Sequence, residues 1–279
     1  MFIMNKLNTA KRSAILSALV EGNSLRSTTR MASVSINTVT KLLVDAGAAC
    51  AKYQHDALRN LPCKRVQCDE IWSFCGMKEK NVPAERKGER GVGDVWTWVA
   101  ICAETKIVPC WLIGARDAMH ASHFIADLAG RLANRVQLTA DGHRPYLEAV
   151  EGAFGGEIDY AMLIKLYGSA TGNTAEIRYS PGECVGTEKR TIVGHPDADH
   201  VSTSFAERQN LTMRMRMRRF TRLTNAFSKK IENLEAAVAL HYMHYNFVRR
   251  RQTLRVTPAM AAGIERRMWS IEDIIGLID

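Results

Sequence analysis

The stretch Val66-Gln-Cys-Asp69-Glu70-Ile-Trp-Ser-Phe-Cys75 decides how the chain folds. Its β-branched, aromatic and apolar residues predict a strand. An acid in the middle of an apolar strand is costly unless it is paired or binds a metal, which makes Asp69 the most informative residue of the chain. The competing reading is a strand acid that faces water, and Glu70 beside it shows that acids are tolerated there.

Working outward toward the C-terminus, a charged loop with several glycines spans residues 76–93. Asp94-Val-Trp-Thr-Trp-Val-Ala-Ile-Cys102 predicts a second strand and Lys106-Ile-Val-Pro-Cys-Trp-Leu-Ile113 a third. Only Ala103-Glu-Thr105 joins them, so they form an antiparallel hairpin, with Pro109 marking an edge or a bulge. Residues 118–133 carry Phe124, Ile125, Leu128 and Leu132 on one helical face. Arg135-Val-Gln-Leu-Thr-Ala-Asp141 is a fourth strand, and a helix begins at Pro145. A helix between strands three and four makes a crossover, whose usual outcome is a parallel neighbour. The order β-β-β-α-β-α is that of an α/β, RNase H-like mixed sheet, in which the first and fourth strands lie side by side. Asp69 and Asp141 then meet at one edge of the sheet.

Toward the N-terminus, residues 9–20 have helical periodicity stopped by Gly22-Asn23, and a second short helix follows Ser24. After Ser33-Val34-Ser35, Ser35 caps a third helix that Gly47 should end. Helix, tight turn, helix, with Val34, Val39 and Leu42 inward, is the pattern of an all-α helix-turn-helix domain. Ser33 stands where glycine usually makes that turn. Asn37, Thr38, Thr40 and Lys41 would face a DNA major groove, the alternative being an ordinary three-helix cap.

Beyond the sheet, Ser204-x-x-Glu207 predicts a capping box, with Glu207 in the first helical turn. Arg208, Asn210, Arg214, Arg216, Arg218 and Arg219 follow, with Arg214 and Arg218 close to the Glu207 face of one helix. They form either a solvated face or a phosphate track.

The charge distribution favours the track. Residues 207–255 hold 12 Lys/Arg against 3 Asp/Glu, which accounts for the whole formal charge of +9. A neutral body with one basic segment points to a polyanion, with nucleic acid the leading candidate. With 46% apolar and 24% charged residues among 279, a packed core is expected. Seven cysteines without a Cys-x-x-Cys pair indicate neither a zinc module nor a disulfide framework, and most are expected to be core thiols in a cytoplasmic, nucleoid-associated protein. No export signal or membrane span is expected.

Cys68-Asp69-Glu70-Ile-Trp72, Thr139-Ala-Asp141-Gly-His143-Arg-Pro-Tyr146 and Glu207-Arg-Gln-Asn210-Leu-Thr-Met-Arg214 together resemble a bacterial DDE transposase of the insertion-sequence-1 type. The tail His244-Tyr-Asn246-Phe-Val-Arg249…Thr257-Pro258 is similar to that of the same group, though Arg251 stands where relatives often have His. The resemblance implies that Asp69, Asp141 and Glu207 are the catalytic and metal-binding triad. It also implies Mg²⁺ or Mn²⁺ as cofactor, transposon-end and target DNA as partners, and a homo-oligomeric synaptic complex. Two metal ions roughly 3.5–4 Å apart can activate the attacking oxygen and neutralise the leaving one in phosphodiester chemistry. The interval from Asp141 to Glu207 is longer than in many relatives and leaves Asp159, Asp197 and Asp199 as alternative third acids. His143 is either a phosphate contact or a surface residue.

The expected organisation is a helix-turn-helix domain over 1–48, a linker over 49–64 and a catalytic domain over 65–245 with an insertion at about 155–203. A basic, helical tail over 246–279 completes it. A helix-turn-helix transcriptional regulator and an inactive transposase-derived DNA-binding protein are the alternatives.

Overall fold

Strands β1 (Arg65–Cys75), β2 (Gly93–Cys102), β3 (Trp111–Gly114), β4 (Gln137–Asp141), β5 (Asp159–Tyr167) and β6 (Cys184–Val193) form one mixed sheet in the order β3-β2-β1-β4-β5-β6. The computed structural model describes residues 7–168, 184–221 and 224–279. β1 pairs antiparallel with β2 and parallel with β4, so the adjacency expected for the strands of Asp69 and Asp141 is present. The connection to β4 passes through α4 (Ala118–Ala129), four residues shorter than its periodicity suggested. Residues 107–110 run beside β2 but are not part of β3. Their contacts are Cys102 N–H to the Ile107 carbonyl at 2.9 Å and Ala100 N–H to that of Cys110 at 3.3 Å, with Pro109 unable to donate between them.

Both faces of the sheet are covered, which is why β1 reads as almost continuously apolar. One face carries Cys68, Trp98, Leu138 and Ala140 against α4 and α5 (Pro145–Phe154). The other carries Ile71, Val95 and Val99 against α6 (Ser204–Arg216) and α7 (Ile231–Met243), through Met213, Leu234 and Val238. Each of the leucine, isoleucine, valine and methionine side chains among these contributes roughly 1.5–3 kcal/mol by leaving water. Six of the cysteines are buried in these layers and Cys184 is exposed.

The first three helices are α1 (Thr9–Val20), α2 (Leu25–Ala32) and α3 (Ile36–Ala57). Ser33 takes the left-handed conformation, φ 49°, at the position where the turn usually has glycine, and the Ser35 hydroxyl caps Thr38 N–H at 3.1 Å. Two expectations fail here. Gly47 does not end α3, and the first residues of the supposed 49–64 linker are helical. Gly47 instead allows close approach: a Cβ there would lie 2.4 Å from Ala236 Cα on α7. Gln54 adds a bond from its side-chain amide to the Ala239 carbonyl at 3.1 Å. The three helices therefore pack on the body through α3 and α7.

The 246–279 segment also belongs to the core. Asn246 is fully buried and exchanges hydrogen bonds with Val108 N–H and C=O, both at 3.0 Å. Trp269 packs on Tyr53 and Phe247, and Asp279 pairs with Arg12 of α1 at 2.7 Å. Residues 169–183 of the expected insertion, and Arg222, lie outside the described residues. Among the described residues no helix is long and apolar enough to cross a membrane.

Candidate metal centre and basic helix

The site begins where the ladder between β1 and β4 stops. The last registered pair is Gln67 with Thr139, two residues short of Asp69 and Asp141 on each strand. Past that point side chains from both faces of the sheet can meet, and the carboxylates of Asp69, Glu70 and Asp141 offer oxygens within 4.8 Å of one another. Each is held. Asp69 Oδ1 accepts from Glu70 N–H at 2.9 Å and Oδ2 from the Asn210 amide at 2.8 Å. Asp141 Oδ1 accepts from His143 N–H at 2.9 Å. Arg116 bridges the other two acids, donating to Glu70 Oε2 at 2.9 Å and Asp141 Oδ2 at 3.1 Å, while the Tyr146 hydroxyl donates to Glu70 Oε1.

The electrostatics follow from that crowding. Burial, then the charges of Glu70 and Asp141, push Asp69 up to about 7. Glu70 rises to about 7 as well, through burial and Asp141, against the opposing pull of Tyr146 and Arg116. Burial and the Arg116 cation lower His143, whose Nε2 is buried without a partner. Close carboxylates that hold their protons this tightly form a donor set that a hard divalent cation would neutralise. The residues present fit Mg²⁺ or Mn²⁺.

Glu207 does not join the cluster of three. It lies in the first turn of α6, where Oε1 accepts from Lys165 Nζ at 2.6 Å and from the Thr203 hydroxyl. Burial raises its pKa, but these two donors outweigh it and hold Glu207 below the usual range. Its charge still contributes to the rise of Asp69. The expected capping box is replaced: Thr203 is the N-cap, and the amides of Phe205 and Ala206 donate to Gln67 Oε1 at 2.7 and 3.3 Å. That pair of bonds ties α6 to β1 two residues before Asp69.

The alternative third acids sit elsewhere. Asp159 is in register with Gln137, whereas Asp141 is in register with Leu163, so Asp159 is four residues, about 13 Å, down the sheet. It pairs with Arg135 at 2.8 Å. Asp197 N–H donates to Gln137 Oε1 at 3.0 Å, which puts it near that same far end, and Asp199 is two residues on.

The predicted DNA contacts divide. Asn37 and Lys41 are exposed, Thr38 and Thr40 half-buried, with Lys41 paired to Asp45. Arg208 and Arg218 are exposed, and Arg214, Arg216 and Arg219 half-buried. Arg216 pairs with Glu21 at the end of α1. Asn210 is buried at 4% exposure beside Asp69, not on the surface. The single arginine face is also corrected. α6 ends at Arg216, and the chain turns at Met217 so that Met217 and Phe220 both reach the core.

Sequence reasoning missed Glu70 and Arg116. The adjacency of Asp69 and Glu70 was the available signal for the first. In a strand covered on both faces, neighbouring acids are buried on opposite sides, and neither is spared the cost of desolvation. No local signal marks Arg116.

No protein-family profile and no curated protein matches the sequence. Among solved structures the chain is similar to the Mos1 transposase paired-end complex with the left transposon end, at 12% identity and a TM-score of 0.22 over 55% of this chain and 58% of that one. It is similar to the Mos1 strand transfer complex at 15% identity, with the same coverage and TM-score. The piggyBac transposase synaptic complex with hairpin DNA is similar at 10% identity and a TM-score of 0.39, over 100% of this chain and 72% of that one. The chain thus spans a little over half of the Mos1 chain's length, and all three neighbours are transposases.

Proposed function

We propose that this chain is a DDE-type transposase with an RNase H-like catalytic domain, acting on the ends of an insertion sequence by metal-dependent strand cleavage and strand transfer. The observation that carries the reading is the convergence of Asp69, Glu70 and Asp141 where β1 and β4 part, with Asn210 and Glu207 presented to that edge by α6. Divalent metal ions bound there supply the charge that favours ionisation of an attacking water or 3′-hydroxyl and stabilises the departing oxygen.

The chain's own groups do the rest. Asp69 and Asp141 would hold the metal as carboxylates, and Glu207 would serve as a third ligand if freed from Lys165. Glu70 keeps Arg116 in place beside them. Arg208, Arg214, Arg216, Arg218 and Arg219 neutralise backbone phosphates, while Asn37, Thr38, Thr40 and Lys41 of a helix-turn-helix read end sequence in a major groove. DNA affinity then falls steeply with salt. Two transposon ends and a target duplex require more than one protomer.

The test is incubation of a labelled duplex carrying the element's own terminal sequence with Mg²⁺, with Mn²⁺ and with chelator. Metal-dependent nicking at the end is expected. Asp69→Asn and Asp141→Asn should abolish it while end binding persists. Equal cleavage in chelator, or by either variant, would remove the metal-site reading.

A further inference from the structure

A second site lies between the first three helices and the segment after α6, where a cavity of about 350 Å³ opens. Its wall is apolar where α1, α3 and α7 meet, at Leu19, Leu43 and Leu240. Its charged residues are all cations, Arg26, Arg218, Arg219 and Lys229, and no Asp or Glu lines it among the described residues. Cations around an open space with no acid among them make a positive potential that favours an anion. Arg219 is the most committed of them. It is half-buried and its described partner is the neutral Ser228 hydroxyl at 2.9 Å. Burial pushes its guanidinium down to about 10.

Polar residues also line the cavity. His241 lines the cavity at 4% exposure, and its Nε2 is buried with no hydrogen-bond partner. Burial, then the neighbouring cations, hold this ring neutral, so Nε2 can either donate or accept. Asn225 and Asn233 line the same space.

We propose that this cleft binds a nucleotide, its phosphate on Arg219 and the rim cations and its base against the leucine wall, beside Asn225 and Asn233. A guanidinium fork matches phosphate oxygens, and the volume lies within the range of about 300–1,000 Å³ typical of small-molecule sites. Inorganic phosphate alone would leave the apolar wall unused, and a fatty acid would bring a single negative charge to four cations. The nucleotide is either free or the 5′-phosphorylated end of a DNA strand. The proposal does not depend on the metal centre, because none of the carboxylates of that site lines the cavity.

The experiment is calorimetric titration of the full chain, in chelator, with the four 2′-deoxynucleoside 5′-monophosphates, the matching nucleosides and inorganic phosphate. Binding of at least one mononucleotide about tenfold or more tighter than its nucleoside or phosphate is expected, equivalent to about 1.4 kcal/mol. Arg219→Gln should weaken it by a similar factor. Because Arg219 is partly buried, the exposed pair Arg26→Gln/Lys229→Gln serves as a second variant and should also weaken it. Competition by a 5′-phosphorylated trinucleotide identifies a strand end as the source, and displacement by mononucleotides alone identifies a free nucleotide. Equal affinity for phosphate, no binding, or unchanged affinity in the double variant overturns the proposal. Absence of DNA cleavage by the unmodified chain, with nucleotide binding intact, would count against the transposase reading alone.

Discussion

The Asn210 amide donates to Asp69 Oδ2 at 2.8 Å, across 141 positions of sequence, and both side chains are mostly buried. Asn210 is therefore a positioning residue for Asp69 in this structure. Asn210→Ala removes the donor that favours the ionised carboxylate. Divalent-cation affinity should drop by about 10–100-fold, as for other groups that orient metal ligands. The pH of half-maximal metal binding should also move upward, which a purely structural role would not produce. Unchanged affinity and an unchanged midpoint would exclude this role.

Asp69 and Glu70 both stand at about 7 in the fold, against about 3.9 and 4.3 in an unfolded chain. Between those values the folded state holds protons that the unfolded state has released. For these groups stability is greatest below about pH 4 and declines as pH rises toward about 7. The metal-free melting temperature should lose this contribution across that window, and less of it in Asp69→Asn. A divalent metal at the proposed site would require the deprotonated groups, so its stabilising effect should be larger at about pH 8 than at about pH 6. Thermal melts with chelator and with Mn²⁺ at several pH values read both effects.

Lys165 holds Glu207 at 2.6 Å and so competes with any cation for that oxygen. Lys165→Met should raise affinity for Mn²⁺ several-fold, on the order of 1 kcal/mol for a partly exposed pair. Glu207→Gln should lower it and suppress cleavage. The decisive result is the pair together: if neither substitution moves metal affinity or cleavage, Glu207 is not the third ligand.

Gly47 leaves no room for a Cβ against the Ala236 backbone, at 2.4 Å from Cα and 2.6 Å from the carbonyl oxygen. Gly47→Ala gains about 1 kcal/mol of helix propensity but must push α3 away from α7, a strain of typically 1–3 kcal/mol. A net destabilisation is expected in urea unfolding. Ala236→Gly should not rescue it, because the clash includes backbone atoms. A stabilised Gly47→Ala variant would show that the two helices separate easily.

Local pattern made much of the architecture legible. Strands β1, β2 and β4 and helices α1 and α2 follow the periodicity and turn residues that predicted them, because alternation and capping act over a few neighbours. The errors came where a distant surface decides. Gly47 looks like a helix stop until α7 is set against it, and the arginines after Arg216 look like one face until Met217 and Phe220 turn into the core.

The same division holds at the site. The sequence by itself determined that an acid lies inside an apolar strand at Asp69, that a second closes the strand at Asp141, and that positive charge concentrates after Glu207. These are properties of composition and short-range order. Only the tertiary structure decided that Glu70 and Arg116 complete the cluster, that Asn210 turns inward to Asp69, and that Glu207 is held by Lys165. Burial, mutual repulsion and competing ion pairs depend on distances between strands and helices far apart in the chain, and no local pattern encodes those distances.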